Sequence, residues 1–257
     1  MSRLRFLLLV AVMMLGAKGC STGTQERSNS GPTSPADQVS TTAEAPAALA
    51  PATSMFIYSD APIAIPDGEA GKLSVVAVGR PSRGSVPVVI RNRTSKPLTN
   101  LEVTGTARNA SGVLAGTGSS QGFVPENVNS GEWAFGYVFF GVEALPADTK
   151  FDLTATGKAP NPLLASVDLR VKEVSRASAS FGGTKLVGIL ANPTNKEVKG
   201  PISVDVMCFD GAMPIATARG FTDASSAAPN GTVSFSVDLP RDSPCRSFAL
   251  GGSGHTF

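Results

Sequence analysis

The feature that most constrains this chain is that it repeats itself at a spacing of about 100 residues. VVIRNRTSKPL (Val88–Leu98) and VGILANPTNKE (Val187–Glu197) align with Asn92 over Asn192, Thr94 over Thr194 and Lys96 over Lys196. The same offset sets Ser130-Gly131 over Asn230-Gly231, and Trp133, Phe135 and Tyr137 over Val233, Phe235 and Val237. One slipped residue sets Leu101 and Val103 over Ile202 and Val204, and Phe151 falls close to Phe248. A fixed spacing across five segments predicts two copies of one structural unit, each with its own core.

The unit reads as β-structure. Ile202, Val204, Val206 and Cys208 alternate with Ser203 and Asp205, and Val233, Phe235 and Val237 alternate with Ser234, Ser236 and Asp238. Period two is the mark of a half-buried strand. Similar segments begin near Leu73, Ser85, Leu101, Glu132, Phe151, Ser166, Lys185, Ile215, Thr232 and Ser247. Outside the first twenty residues no long window carries a 3.6-residue period. The 27 glycines and 19 prolines suit short strands joined by turns. The expected fold class is all-β, with two tandem immunoglobulin-like antiparallel β-sandwiches at residues 72–158 and 164–254. Residues 159–163 link them, and 55–71 lead in.

The N-terminus has a different character. Arg3 and Arg5 precede an unbroken apolar run, Phe6–Leu15. As a helix that run spans about 15 Å, half of a bilayer core, so residues 1–19 read as an export signal and not as a transmembrane span. Gly16-Ala17-Lys18-Gly19-Cys20 resembles a bacterial lipobox, which implies a lipidated Cys20. Ala17 stands where that motif usually has leucine. Ala17 and Gly19 also fit ordinary secretory cleavage, which would leave a free N-terminal cysteine. Residues 20–54 are rich in Ser, Thr, Ala and Pro. They cannot offset their ordering entropy by burial and are expected to form a disordered tether with a reach of about 30 Å. One diacylglycerol carries two chains, enough for stable anchoring.

Val204–Gly211 (VDVMCFDG) ends a strand on an aromatic-acid-x-Gly corner, and Asn230-Gly231-Thr232-Val233-Ser234-Phe235 follows later. The second copy thereby resembles the FxLYD-type domains of bacterial envelope proteins. The resemblance implies an immunoglobulin-like sandwich on a lipid or membrane anchor, mostly without assigned activity. The first copy departs from it, with Arg108-Asn109-Ala110-Ser111-Gly112 at the corner. Of the three cysteines, Cys208 and Cys245 both lie in the second copy. In an oxidising compartment they are expected to form a disulfide, which leaves Cys20 for the thioether; two buried thiols are the alternative.

Little here points to catalysis. The single histidine, His255, lies in a Gly/Ser-rich C-terminal stretch (GGSGHTF) and reads as a solvated tail residue. No nucleophile elbow, P-loop or dinucleotide fingerprint is found, and no cofactor or metal is expected. Gly112, Gly116 and Gly118 read as turn and bulge glycines of a strand pair. The acids Glu126, Glu132, Glu143, Asp148, Asp152, Asp205, Asp210, Asp223, Asp238 and Asp242 read as turn or solvated groups, with Asp210 capping a turn. Trp133, Phe135, Tyr137 and Phe139 form either a central core strand or an exposed ledge for a partner. A formal charge of +2 without basic runs excludes nucleic acid as partner. The expected function is a non-enzymatic lipoprotein that meets the membrane through its anchor and an envelope protein through its sandwiches. The alternative is a solute- or glycan-binding lipoprotein, which an apolar pocket with converging polar groups between the copies would favour.

Overall fold

The structure is a computed structural model that describes residues 54–161, 165–180, 182–241 and 245–256. The expected signal at 1–19, Cys20 and all but the last residue of the tether lie outside the described residues. Every described element is a strand: β1 Met55–Tyr58, β2 Leu73–Val78, β3 Ser85–Asn92, β4 Thr99–Arg108, β5 Leu114–Val124, β6 Trp133–Phe139 and β7 Lys150–Lys158. They continue with β8 Ala165–Ser178, β9 Thr184–Ala191, β10 Val198–Asp210, β11 Met213–Thr222, β12 Ser226–Ala227, β13 Thr232–Asp238 and β14 Ser247–Thr256. The chain is all-β.

Two sheets form, and they repeat. One runs β2-β3-β6-β5-β4-β7. The other contains β8-β9-β13-β11-β10-β14 in the same relative order, with β1 and β12 added. All neighbours are antiparallel. In the second sheet β14 pairs with both β10 and β8, which closes a ring. In the first sheet β2 and β7 approach near Leu73 and Gly157 and stop short of a ladder.

Each sheet wraps its own core. Val86, Val88, Ile90, Val103, Phe123 and Val138 fill the first. Leu169, Leu186, Leu190, Val204, Val206, Phe235 and Phe248 fill the second. The alternation seen in sequence is the alternation in burial, clearest in β13. Asn92 and Asn192 end equivalent strands and are buried. Each donates from Nδ2 to the carbonyl four residues on, at 2.8 and 2.7 Å, and accepts from Thr94 or Thr194 through Oδ1. A short amide side chain here replaces the backbone partners that a strand loses where it turns.

The register corrects one part of the sequence alignment. Ile90 faces Ala134, whereas Leu190 faces Val233. Ala134, Gly136 and Val138 are therefore the counterparts of Val233, Phe235 and Val237. Because side chains alternate, this one-residue slip turns Trp133, Phe135 and Tyr137 outward. At β7 and β14 the alignment holds: Ala107 faces Phe151, and Cys208 faces Phe248.

The outward face of β6 is not left to solvent. Phe135, Val89 and Val124 of the first copy pack with Met207, Phe209 and Ala249 of the second in a third core, completed by Met55 and Ile65. Trp133 meets Phe209 edge-on at 6.0 Å. β1 joins the second copy's sheet along β14, Met55 opposite Gly251. The chain then crosses to the first copy, where Arg91 Nη1 donates to the Ile65 carbonyl at 2.9 Å. The lead-in segment thus clasps both copies.

Three segments differ from expectation. β5 adds a strand to the expected set: Gly112 sits in the β4–β5 turn with a φ of 85° and the register slips beside Gly116, as the turn-and-bulge reading has it, while Gly118 lies in the regular ladder. β8 runs on to Ser178, well past Val171. The C-terminal GGSGHTF is no solvated tail: Gly251–Gly254 are buried in β14, though His255 itself is exposed.

Candidate functional site

The residues that meet between the copies are the most chemically loaded part of the molecule. The segment after β5 turns its backbone towards β8. There Asp168 accepts hydrogen bonds from the amides of Glu126 (2.7 Å) and Asn127 (3.0 Å) and from Asn127 Nδ2 (2.8 Å). The Ser253 hydroxyl donates to Glu126 at 2.8 Å and lies 3.5 Å from the Ser203 hydroxyl. On the neighbouring rung Arg219 Nε donates to Asp205 at 2.6 Å, and its guanidinium lies 5.8 Å from the centre of the Tyr137 ring.

Burial sets the electrostatics. It pushes the Asp168 carboxyl up from 3.8 to about 6, although three hydrogen bonds pull the other way and Glu126 adds to the rise. Burial also raises Asp205, opposed by the Arg219 guanidinium and the Ser203 hydroxyl. Burial alone would lower Arg219, but the bond to Asp205 outweighs it and holds the guanidinium firmly charged. Each acid is thus committed to a partner across or beside the seam.

Of the acids singled out from sequence, the structure brings Glu126 and Asp205 to this seam. Asp168, which sequence reasoning passed over, joins them. Glu132 is bound to the Asn129 amide at 2.9 Å, and Asp223 accepts from Ser234 at 2.7 Å. Glu143, Asp148, Asp152, Asp210 and Asp238 are exposed, and Asp242 lies outside the described residues. Asp210 stands at the β10–β11 turn, where Gly211 has a positive φ of 58°. Among the described residues no group of three or more His, Cys, Asp or Glu side chains is arranged to hold a metal.

Beside the seam opens a cleft of about 690 Å³. One wall is the turn from β2 to β3, with Arg80, Ser82, Arg83 and Ser85; another is β11 from Ile215 to Arg219; Pro240 and Arg241 close it, and Tyr137 and Asp205 complete the lining. The turn is tight, with Ser82 and Ser85 exchanging backbone hydrogen bonds at 2.8 and 2.9 Å. It places Arg83 at a φ of 48° and Gly84 at 70°. No sequence motif announced this cleft, because its arginines come from three distant segments.

β6 is a central core strand, as one of the two expectations has it, but its aromatic residues serve a different core. The strand is central, between β3 and β5, yet Trp133 and Phe135 serve the join between copies and not the core of their own. Tyr137 lines the cleft and Phe139 is exposed. Cys208 and Cys245 form a disulfide with Cα atoms 4.8 Å apart and 37 residues of separation. It ties the end of β10 to the segment before β14. Closing a loop of that length stabilises by about 4 kcal/mol on the chain-entropy model.

Neither a protein-family model nor a curated protein matches this chain.

Proposed function

We propose that the chain is a non-enzymatic, lipid-anchored extracytoplasmic protein of the bacterial envelope, whose fused β-copies act as one interaction body. The observation that carries this reading is the disulfide between Cys208 and Cys245. A disulfide in an all-β body suits an oxidising compartment. It also leaves Cys20, in a lipobox-like setting behind an export-type apolar run, as the one remaining cysteine of three. The shared strand order and the paired Asn turns support the immunoglobulin-like, FxLYD-like reading of both copies. The seam acids support a structural use of these groups, since each is engaged in joining the copies. Fractionation tests the anchor: wild type should sediment with membranes and incorporate labelled palmitate, and Cys20→Ser should do neither. A Cys20→Ser protein still in the membrane fraction would place the anchor elsewhere.

The cleft favours a second reading within the same location, a lipoprotein that binds a solute or glycan. Its volume lies in the usual range for small-ligand sites, roughly 300–1,000 Å³. Its lining is more cationic than the apolar pocket expected for that role.

A further inference from the structure

We propose that the cleft between the copies is a binding site for a phosphorylated carbohydrate, with Arg80, Arg83 and Arg241 supplying the phosphate contacts. This rests on the ligand-binding reading of the cleft and names the ligand class.

The charge distribution comes first. Four arginines and one carboxylate line the cleft. Arg219 and Asp205 neutralise each other at 2.6 Å. Three positive charges are then left in one cleft of a chain whose whole formal charge is +2. Four cations outside the cleft form ion pairs among the described residues. Arg91 and Arg93 share Asp67 at 3.3 and 3.4 Å, and Lys72 lies 2.6 Å from Glu69. Arg176 donates to the Cys245 carbonyl at 2.6 Å and covers the Tyr58 and Phe248 rings. Arg80, Arg83 and Arg241 form no ion pair among the described residues, and the three like charges line one space.

The turn gives independent support. Both Arg83 and Gly84 have positive φ, the two-residue hairpin geometry that favours Asn, Asp or Gly at its first position. An arginine there works against backbone preference. The backbone does not ask for this side chain, whereas the mouth of the cleft receives it.

Ligand class follows from the donors. The guanidinium fork matches an oxyanion with two parallel hydrogen bonds, and several such forks suit a multiply charged phosphate. Ser82, Ser85 and Thr217 add hydroxyls that can exchange hydrogen bonds with a hydroxylated body. Phosphate with a sugar satisfies both sets. The sugar phosphate can be a free monoester or a unit of an envelope polymer joined by phosphodiesters.

The test uses the full chain in detergent micelles and isothermal titration with glucose 1-phosphate, a glucosyl-phosphate oligomer and glucose. Glucose 1-phosphate or the oligomer should bind, more weakly as salt rises, and glucose should not. The tighter of the two phosphate probes identifies the source. Arg80→Gln/Arg83→Gln and Arg241→Gln should each weaken phosphate binding by about tenfold or more. Lys150→Gln/Lys158→Gln removes two charges from exposed residues of β7 and should leave it unchanged. Glucose binding as tightly as its phosphate, or equal losses in the arginine and lysine variants, overturns the phosphate assignment and leaves the cleft as a ligand site. Absence of binding by all three probes sinks the phosphate assignment and the ligand-binding reading together.

Discussion

Asn192 shows how much one buried polar side chain carries in this fold. Its Nδ2 serves the carbonyls of Lys196, Ala227 and Ala228, and its Oδ1 takes both the amide and the hydroxyl of Thr194. Asn192→Ala strips these groups of their partner inside the protein, at about 2–4 kcal/mol, measurable as a lower denaturant midpoint. Asn192→Asp should be at least as damaging, since it turns a carboxylate oxygen on carbonyl oxygens. Asp168 makes a prediction of opposite character, in pH. Its carboxyl is raised to about 6 in the folded protein, above its ordinary 3.8. The folded state therefore holds the proton more tightly than the unfolded one between those values, and stability falls as pH rises through that window. Burial of Asp205 pushes in the same direction. Melting temperature should climb by a few degrees from pH 7 to pH 5, and Asp168→Asn should flatten most of that slope; an unchanged slope would remove Asp168 as its source. The Asn turns were legible in sequence because part of each network is local, within four residues of the asparagine. Asp168 was not, because its partners Glu126 and Asn127 lie 42 and 41 residues away, in the other copy.

At the scale of elements, alternation was the readable signal, and it failed wherever a strand has no free face. β4 and β13 were plain because one side is wet. β14 beyond Leu250 reads as a tail in sequence because glycine and serine carry no pattern. Those glycines are required by close approach: a Cβ on Gly252 would stand 2.5 Å from Leu190, and one on Gly251 would run into Val124 of the other copy. Gly252→Val should thus cost about 2 kcal/mol or more by overpacking, read as a shifted unfolding curve, while Gly71→Val, with open space around it but a positive φ of 78°, tests backbone strain alone. β5 was missed for the same reason, though its counterpart β11 was recognised. The slip at β6 was invisible because Trp133, Phe135 and Tyr137 alternate as well as Ala134, Gly136 and Val138 do. In a strand buried on both faces, pattern cannot say which set is inside.

For the whole molecule, the third core decides behaviour. Two independent units would melt separately. Here Phe135, Val89 and Val124 share a core with Met207, Phe209 and Ala249, so unfolding either copy uncovers apolar surface on the other. Calorimetry should record one transition. Phe135→Ala should lower stability by about 3–5 kcal/mol and broaden or split that transition, since Phe135 lies in the join and not in the first copy's own core. Two well-separated transitions in the unaltered protein would contradict a shared core. The duplication itself was legible from Asn92 and Asn192. The joining of the copies was not, because its apolar members come from seven separate segments.

The clasp made by β1 has a consequence in time. A ribosome delivers β1 first and β14 last, and Met55 pairs with Gly251. Until the final strand emerges, β1 has no rung to join, and Ile65 lacks the Ala249 side of its packing. The first copy can collapse around its own interior while the chain is still growing. The seal between the copies must wait for β14. The first and last described strands lock together last, so a nascent chain stalled before β14 would hold β1 bare and be an early substrate for chaperones or proteases.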